Sequence, residues 1–252
     1  MTTIAIVNLS GNTGKTTLAK HLFAPLLDNA RRVSIEDVNT GDGEPDLQIA
    51  ATKFQALAAE LNVADDDENF VIDIGASNAK AMMEHFAQLK TTRTAIDFWV
   101  IPVVAAAKQK VDSLNTVKTL SGIGIPTSKV VMVLNNVSDI DSVEHDFAPI
   151  LAARKLGVHV CGEAVLASEV FEMLKGEAES VFDLVNSAPD FKALKKAARE
   201  SSDASGALTK LGHRMVLQDL AESAAENLRA VFDALPFSKA GKSALKAAKA
   251  AA

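Results

Sequence analysis

One contiguous segment near the start of the chain carries residue types that together bind phosphate. It is Ser10-Gly11-Asn12-Thr13-Gly14-Lys15-Thr16-Thr17, and it closely follows the hydrophobic run of residues 3–8. Backbone N–H groups of such a loop, and of a helix that starts after it, converge on anionic oxygens, while Lys15 adds a mobile positive charge. The Thr16 hydroxyl can ligate Mg²⁺. The segment predicts a nucleotide phosphate site, and a plain glycine turn with a helix cap is the alternative.

An acid at the end of a second hydrophobic run completes this chemistry. Residues 69–73 are Asn-Phe-Val-Ile-Asp, so Asp73 ends a strand-forming stretch. In a parallel sheet such a carboxylate lies beside the phosphate loop and holds Mg²⁺, usually through water. Lys15, Thr16 and Asp73 together therefore predict a site for Mg²⁺ and a nucleotide. The alternative is an acid that only ends a strand.

Short β-branched runs alternate with helical patterns over the first 165 residues, and these elements must position the side chains. The alternation is typical of βαβ units, and nearly continuous Val and Ile indicate strands buried on both faces. We predict an α/β fold with a doubly wound, mostly parallel sheet and flanking helices. The strand-forming runs are 3–8, 32–36, 69–73, 97–103, 129–134 and 157–161, and the helical patterns are 48–61, 77–90, 107–120 and 141–155.

After about residue 165 the sequence favours helices only. The helical patterns there are 166–184, 190–200, 207–233 and an Ala/Lys tail from 238. We expect a P-loop domain over residues 1–185 and a helical C-terminal extension with a basic tail over residues 186–252.

The composition excludes several other classes of protein. With 48% hydrophobic and 23% charged residues among 252, the chain is neither disordered nor fibrous. Cys161 is the single cysteine, which excludes an internal disulfide and indicates a reducing cytoplasm. The longest apolar run is too short to span a membrane, so no membrane span is expected. The five histidines have no metal-ligand spacing, and no G-x-S-x-G or G-x-G-x-x-G motif follows a strand.

The phosphate loop resembles that of the ParA/MinD family of ATPases, whose deviant Walker A pattern is K-G-G-x-G-K-[ST]-T. The matching residues are Gly11, Gly14, Lys15, Thr16 and Thr17. Asn12 replaces the second glycine, and Ser10 stands where the family has its signature lysine. Within the family the loop is most similar to StbB-type plasmid stability proteins. The resemblance implies ATP and Mg²⁺ as ligands, a homodimer, and a DNA-binding partition or stability protein as partner.

The same resemblance assigns roles to further residues. Asp73 takes the place of the Walker B acid, and Gly75 occupies the turn past the γ-phosphate. In the family's switch I, two acids flank one residue; here either Asp37 and Asn39, or Glu36 and Val38, would correspond to them. Both registers lack the second acid, which weakens a fast general-base mechanism. The alternative is an acidic loop capping a helix that begins near Asp46.

An asparagine after a later strand implies a contact to the base. The run Val-Val-Met-Val-Leu at 130–134 is followed by Asn135 and Asn136. In the family an Asn at this point binds adenine, because an amide donates and accepts at once. We assign this role to Asn135; a turn-forming pair is the alternative.

The charge is distributed unevenly along the chain. Residues 1–185 carry 15 Lys and Arg against 25 Asp and Glu, whereas residues 186–252 carry 11 against 7. Four of these basic residues share one face of a predicted helix, namely Lys192, Lys195, Lys196 and Arg199. Such a stripe can neutralise DNA phosphates without recognising sequence. A solvated helix face is the alternative.

Three functions follow from these patterns. The first is a ParA-like ATPase, slow and stimulated by its partner, that switches an ATP-linked dimer in plasmid stability, partition or DNA positioning, in the cytoplasm and in contact with the nucleoid. The second is a P-loop small-molecule kinase or ligase similar to dethiobiotin synthetase. The third is a nucleotide-binding module whose ATPase activity has decayed.

Overall fold

A seven-stranded, all-parallel sheet forms the centre of the structure, a computed structural model that describes residues 1–36, 45, 47–65 and 67–238. The strand order is β3-β2-β4-β1-β5-β6-β7. Strands β2 to β4 lie on one side of β1 in the sheet, and strands β5 to β7 lie on the other. Doubly wound sheets bind ligands in the crevice at such a change of direction, which here borders the carboxyl end of β1. The predicted fold class is confirmed. The strands are β1 Thr3–Ile6, β2 Ala30–Ile35, β3 Leu47–Ile49, β4 Asn69–Ile74, β5 Phe98–Val103, β6 Val130–Leu134 and β7 His159–Val160.

Helices cover both faces of this sheet. The first helix, α1, has three consecutive parts, namely Lys15–Thr17, a π-helical turn Leu18–Phe23, and Ala24–Leu26. It ends one residue after Pro25. The others are α2 Phe54–Val63, α3 Ala76–Gln88, α4 Lys90–Ala95, α5 Ala107–Gly122, α6 Val143–Asp146, α7 Ala148–Leu151, α8 Glu169–Met173, α9 Val181–Asn186, α10 Phe191–Glu200 and α11 Ala204–Asp233.

Alternate residues of each strand supply two separate hydrophobic cores. In β4, Phe70 and Ile72 face the core formed with α2, α3 and α5, while Val71 faces the core formed with α1, α8, α9 and α11. This is why the strand sequences are hydrophobic almost throughout. One face of the second half of α11, which includes Leu228 and Val231, is buried in the second core. The domain boundary at residue 185 stays a prediction.

Three predicted helices differ from the structure, and the pattern at 141–155 forms a series of short α- and 3₁₀-helical turns instead of one helix. The pattern at 48–61 begins instead with strand β3, which pairs with β2, and α2 starts only at Phe54. Strand β3 has only three residues, with exposed Gln48 between Leu47 and buried Ile49. This pattern is too short to distinguish the two-residue period of a strand from the period of a helix. The pattern at 166–184 is divided into α8 and α9, and Gly176 in the connection adopts a left-handed conformation with φ of 79°.

Some predictions fall on residues outside the described part of the chain. These are the switch I residues Asp37, Val38 and Asn39, the helix start near Asp46, and the Ala/Lys tail from residue 239. Within the described residues, no helix combines the length and hydropathy needed to cross a bilayer.

Candidate functional site

The segment from residue 8 to residue 14 connects β1 to α1 and has the backbone that a phosphate loop needs. Gly14 has a φ of 84°, and a Cβ atom there would lie 2.0 Å from Asn135 Nδ2, so only glycine fits. Asn12 has a φ of 54°. Asparagine is among the few other residues that tolerate this region, so the loop does not require a glycine at this position.

Hydrogen bonds to β5 and α5 hold the start of this loop. The Asn8 side chain donates to the Pro102 carbonyl (2.9 Å) and to Ser113 Oγ (2.8 Å), and its Oδ1 accepts from the Ser10 N–H (2.9 Å). The Leu9 N–H donates to Thr116 Oγ1 at 3.1 Å. Sequence reasoning missed Asn8, Ser113 and Thr116. The available signal was a polar residue at the end of an otherwise apolar strand.

Lys15 folds back over the loop from the first turn of α1. Its Nζ donates to the Ser10 carbonyl at 3.0 Å, and the residue is only 7% exposed. Burial lowers the pKa of the ammonium group, while the nearby charges of Asp73 and Glu36 raise it. The ammonium group therefore lies inside the loop, in a place where little water screens its charge.

Asp73 ends β4 beside this lysine and accepts a hydrogen bond from Thr16. The carboxyl group is 3% exposed, and burial raises its pKa to about 6 against the effects of Thr16 and Lys15. Among the described residues its Oδ1 has no hydrogen-bond partner. An unpartnered, buried carboxylate oxygen next to a threonine hydroxyl fits Mg²⁺, which takes one or two protein ligands and completes its shell with phosphate and water.

No larger ligand cluster competes with this assignment. The described part of the chain contains no group of three or more His, Cys, Asp or Glu that could hold a metal ion. A metal that needs a full set of protein ligands, such as structural zinc, does not fit here, because it requires four.

Glu36 lies at the same site, at the carboxyl end of β2. Its side chain packs over Gly75, where a Cβ would come within 2.8 Å of Glu36 Oε1, and the Gly75 N–H donates to the Ile35 carbonyl at 3.2 Å. Gly75 therefore permits a close approach of the carboxylate. The structure brings Glu36, the first acid of the alternative switch register, to the site, whereas Asp37 and Asn39 lie outside the described residues.

Asn135 contacts the loop itself. Its Nδ2 donates to the Thr13 carbonyl at 2.9 Å, and the side chain is buried. The residue also lines the cleft beside Asn136, so its assignment to adenine stays a prediction.

The cleft above these residues has a volume of about 680 Å³, within the range of ligand pockets. The loop Gly11–Thr17 forms one wall. The segment around α8 forms another, with Leu166, Ser168, Phe171, Glu172, Leu174 and Lys175. The basic residues Lys192, Lys195, Lys196 and Arg199 belong to α10 and do not line the cleft.

Comparison with known proteins identifies this architecture. A chain of the MinC:MinD cell division protein complex of Aquifex aeolicus is similar with a TM-score of 0.53 and 12% identity, over 73% of this chain and 88% of that one. The MinD cell division protein of the same organism has a TM-score of 0.51 and 13% identity, over 88% and 96% of the two chains. The chain has the MinD and ParA fold.

The protein pNOB8 ParA also has this fold, with a TM-score of 0.51 and 13% identity over 86% of this chain and 98% of that one. No family model matches the sequence, and neither does any curated protein sequence. At these identities the similarity to MinD and ParA shows the fold alone.

Ser10 lies at the start of the loop, where the sequence comparison places the family's lysine only as a resemblance. The residue is 2% exposed, and its hydroxyl has no hydrogen-bond partner among the described residues. A side chain this short and this buried does not extend from the surface toward a second copy of the chain. Ser10 therefore supplies no positive charge to the loop.

Proposed function

We propose that the protein is a ParA-like molecular switch that binds ATP with Mg²⁺ and hydrolyses ATP slowly. The supporting observation is that Lys15 and Thr16 line a cleft at the carboxyl edge of a MinD/ParA sheet, and that the buried Asp73 interacts with both of them. The resemblance of residues 10–17 to StbB-type proteins supports a role in plasmid stability, partition or DNA positioning. The proposed location is the cytoplasm, in association with the nucleoid.

The residues of the site divide the work of the proposed reaction. Lys15 and the backbone N–H groups of residues 11–17 would bind phosphate oxygens, and Gly75 would leave space for the terminal phosphate. Thr16 and Asp73 would hold Mg²⁺, which when bound neutralises charge on the phosphates. Asp37 and Asn39 are the proposed residues that orient the attacking water. An amide cannot take a proton from water at neutral pH, so we expect slow hydrolysis.

The switch is proposed to act through a homodimer whose formation depends on ATP. We expect size-exclusion chromatography with light scattering to give a monomer without nucleotide and with ADP, and a dimer with Mg²⁺ and ATP. A measured mass that is the same in all three conditions would contradict the ATP-linked dimer.

Steady-state assays separate this function from its two alternatives. Slow release of phosphate from ATP, faster with DNA and a DNA-binding partner protein, is the expected result. Transfer of the phosphate to a metabolite would indicate the kinase or ligase. Absence of turnover under every condition, with ATP still bound, would indicate a nucleotide-binding module without ATPase activity.

Helix α10 is the proposed DNA contact. All four basic residues of its stripe are exposed, while Phe191 and Ala198 are the less exposed positions of the helix, which packs against α11. The helix therefore presents positive charge to solvent on one side, on a chain whose first 185 residues are acidic. That arrangement suits contact with a phosphate backbone and gives no means of recognising bases.

Neutralising the stripe is expected to weaken DNA binding and its salt dependence. For the variant K192Q/K195Q/K196Q/R199Q we expect at least a tenfold loss of affinity for duplex DNA of any sequence. The slope of log affinity against log salt should fall by about 3 to 4, roughly one for each phosphate that is no longer neutralised. Fluorescence anisotropy across a salt series measures both.

The matched control removes the same charge elsewhere. K80Q/K90Q/K118Q/K155Q neutralises four exposed lysines that lie before residue 185, and it should retain most of the affinity. Equal reductions in the two variants would show that total charge, and not α10, determines binding.

A further inference from the structure

Two consecutive polar residues of α1 are buried, although neither belongs to the phosphate-binding motif. Lys20 and His21 follow Thr16 by about one turn and are 4% and 3% exposed. Both lie in the π-helical turn Leu18–Phe23. Such turns are rare and occur often at functional sites. Lysine is seldom buried without partners, so the contacts of this side chain require an explanation.

Lys20 holds the carboxyl end of α8. Its Nζ donates to the Leu174 carbonyl at 3.0 Å and also to the Glu177 carbonyl. Leu174 is the C-cap of α8, where carbonyl groups lack partners within the helix. A cation at this end also interacts favourably with the helix dipole. The lysine of the P-loop helix thus fixes the position of a helix more than 150 residues away in the sequence.

His21 holds the start of α9. Its Nδ1 accepts a hydrogen bond from the Val181 N–H at 3.2 Å, and its ring lies 5.5 Å from that of Phe171. Burial and the neighbouring charges of Lys20 and Arg32 lower the pKa of His21 to about 3, although Asp183 opposes them. The ring is therefore neutral at physiological pH, as an acceptor at Nδ1 must be.

The two contacts secure both ends of the connection between α8 and α9. Lys20 binds at Leu174 and Glu177, and His21 binds at Val181. The segment before this connection, Leu166 to Lys175, forms a wall of the cleft. Its position relative to the phosphate loop thus depends on side chains of the same helix that begins with Lys15.

The composition of the wall indicates which part of a ligand it contacts. The phosphates are bound by residues 11–17, so the rest of a nucleotide must lie along the remaining lining of the cleft. That lining includes the apolar Leu166 and Phe171, the polar Ser168 and Glu172 and the basic Lys175, and Lys20 and His21 border it from α1. A mixed apolar and polar surface suits a base and a sugar better than a triphosphate.

We propose that Lys20 and His21 are positioning residues that hold the α8 wall against the nucleoside part of the bound nucleotide. The proposal rests on the proposed function, since it assumes that a nucleotide occupies the cleft. Neither side chain is assigned to the phosphates or to Mg²⁺. Their loss therefore weakens binding of the nucleoside and leaves binding of the phosphates in place.

The test compares ATP with inorganic tripolyphosphate, each competing with a fluorescent ATP analogue in the presence of Mg²⁺. K20M keeps most of the aliphatic volume and removes the ammonium group. We expect its affinity for ATP to fall at least tenfold, and its affinity for tripolyphosphate to stay within twofold of the wild type. K80M, at an exposed position on α3, should change neither affinity.

A second pair of variants tests the same idea without a buried charge. Asparagine at position 21 keeps a hydrogen-bond acceptor for the Val181 N–H, whereas leucine does not. H21N should retain near wild-type ATP affinity, and H21L should lose at least fivefold. This pair decides the question if K20M fails to fold. Hydrogen exchange should also show that ATP slows exchange in residues 168–181 of the wild type and H21N, but not of H21L.

Three results would overturn the proposal. Equal reductions in affinity for ATP and tripolyphosphate would show that Lys20 supports the phosphate loop or the general fold. Unchanged ATP affinity in K20M and H21L would show that the wall needs neither side chain. A wild type that binds neither ligand would overturn the proposed function itself, which is a different outcome from a selective effect in the variants.

Discussion

Replacement of Lys15 by alanine is expected to abolish measurable ATP binding, with a loss of affinity of at least a hundredfold. The ammonium group is buried within the loop that would bind the phosphates, and its nearest charged neighbours are Asp73 and Glu36. Without Lys15, less positive charge would offset the electrostatic repulsion between these two acids and the phosphates. A hundredfold loss corresponds to about 2.7 kcal/mol, which is within the range for a charge-assisted hydrogen bond in a poorly solvated site.

Titration calorimetry with Mg²⁺ and ATP measures this loss directly. K80A is the matched control, because it removes an exposed lysine from α3 without touching the cleft, and it should bind ATP as the wild type does. Circular dichroism establishes that both variants are folded. If K15A binds ATP as tightly as the wild type, residues 10–17 do not form the phosphate site.

Replacement of Asp73 by asparagine is expected to have two opposite effects, one on stability and one on ligand binding. Burial raises the pKa of this carboxyl group from 3.8 to about 6, so Asp73 holds its proton more strongly in the folded protein than in the unfolded chain. The contribution of Asp73 to stability is therefore full below pH 4 and declines as the pH rises toward 6. At neutral pH the ionised side chain costs about 3 kcal/mol, an upper estimate from that shift.

Asparagine cannot ionise, and D73N should therefore be more stable than the wild type at pH 7.5 without nucleotide, but similar to it at pH 4. Thermal midpoints in EDTA across this range measure the difference. His21 has a lowered pKa and makes the fold less stable as the pH falls below 6.5. The wild type and D73N both contain His21, so the difference between their thermal midpoints reports the effect of Asp73 alone. If the thermal midpoints of the wild type and D73N differ by the same amount at every pH, the raised pKa of Asp73 is contradicted.

The same substitution should remove the effect of Mg²⁺ on ATP affinity. An amide is a poor replacement for a carboxylate next to a divalent cation, and Asp73 Oδ1 is a buried oxygen without a partner among the described residues. We expect Mg²⁺ to strengthen ATP binding at least tenfold in the wild type and less than twofold in D73N. D67N, at an exposed position, should respond to Mg²⁺ as the wild type does.

The proposed phosphate loop can be recognised in the sequence because its residues are contiguous. Gly14, Lys15 and Thr16 belong to one turn of chain, and the local backbone conformation requires glycine whatever surrounds it. The hydrophobic strands could also be predicted, since a strand buried on both faces needs apolar residues at nearly every position. Asp73 followed from the end of such a strand. The strand β3 could not, because three residues contain too little periodicity.

The contacts that complete the site depend on the order of strands and on distant helices. Asn135 meets Thr13 only because β6 lies two strands from β1 in the sheet, and Asn8 meets Ser113 only because α5 follows β5 past the loop. The sequence alone predicts that a lysine such as Lys20 is exposed. Its burial became favourable only when folding brought the carbonyl groups of Leu174 and Glu177 to it.

The sequence by itself therefore determined the fold class and indicated the proposed phosphate site, because both depend on short-range patterns. The tertiary structure alone decided what surrounds that site. The partners of Lys20, His21 and Asn135 are more than 100 residues away. Each of these hydrogen bonds is favourable only once the strand order and both hydrophobic cores have formed, because a buried polar group needs its partner already in place.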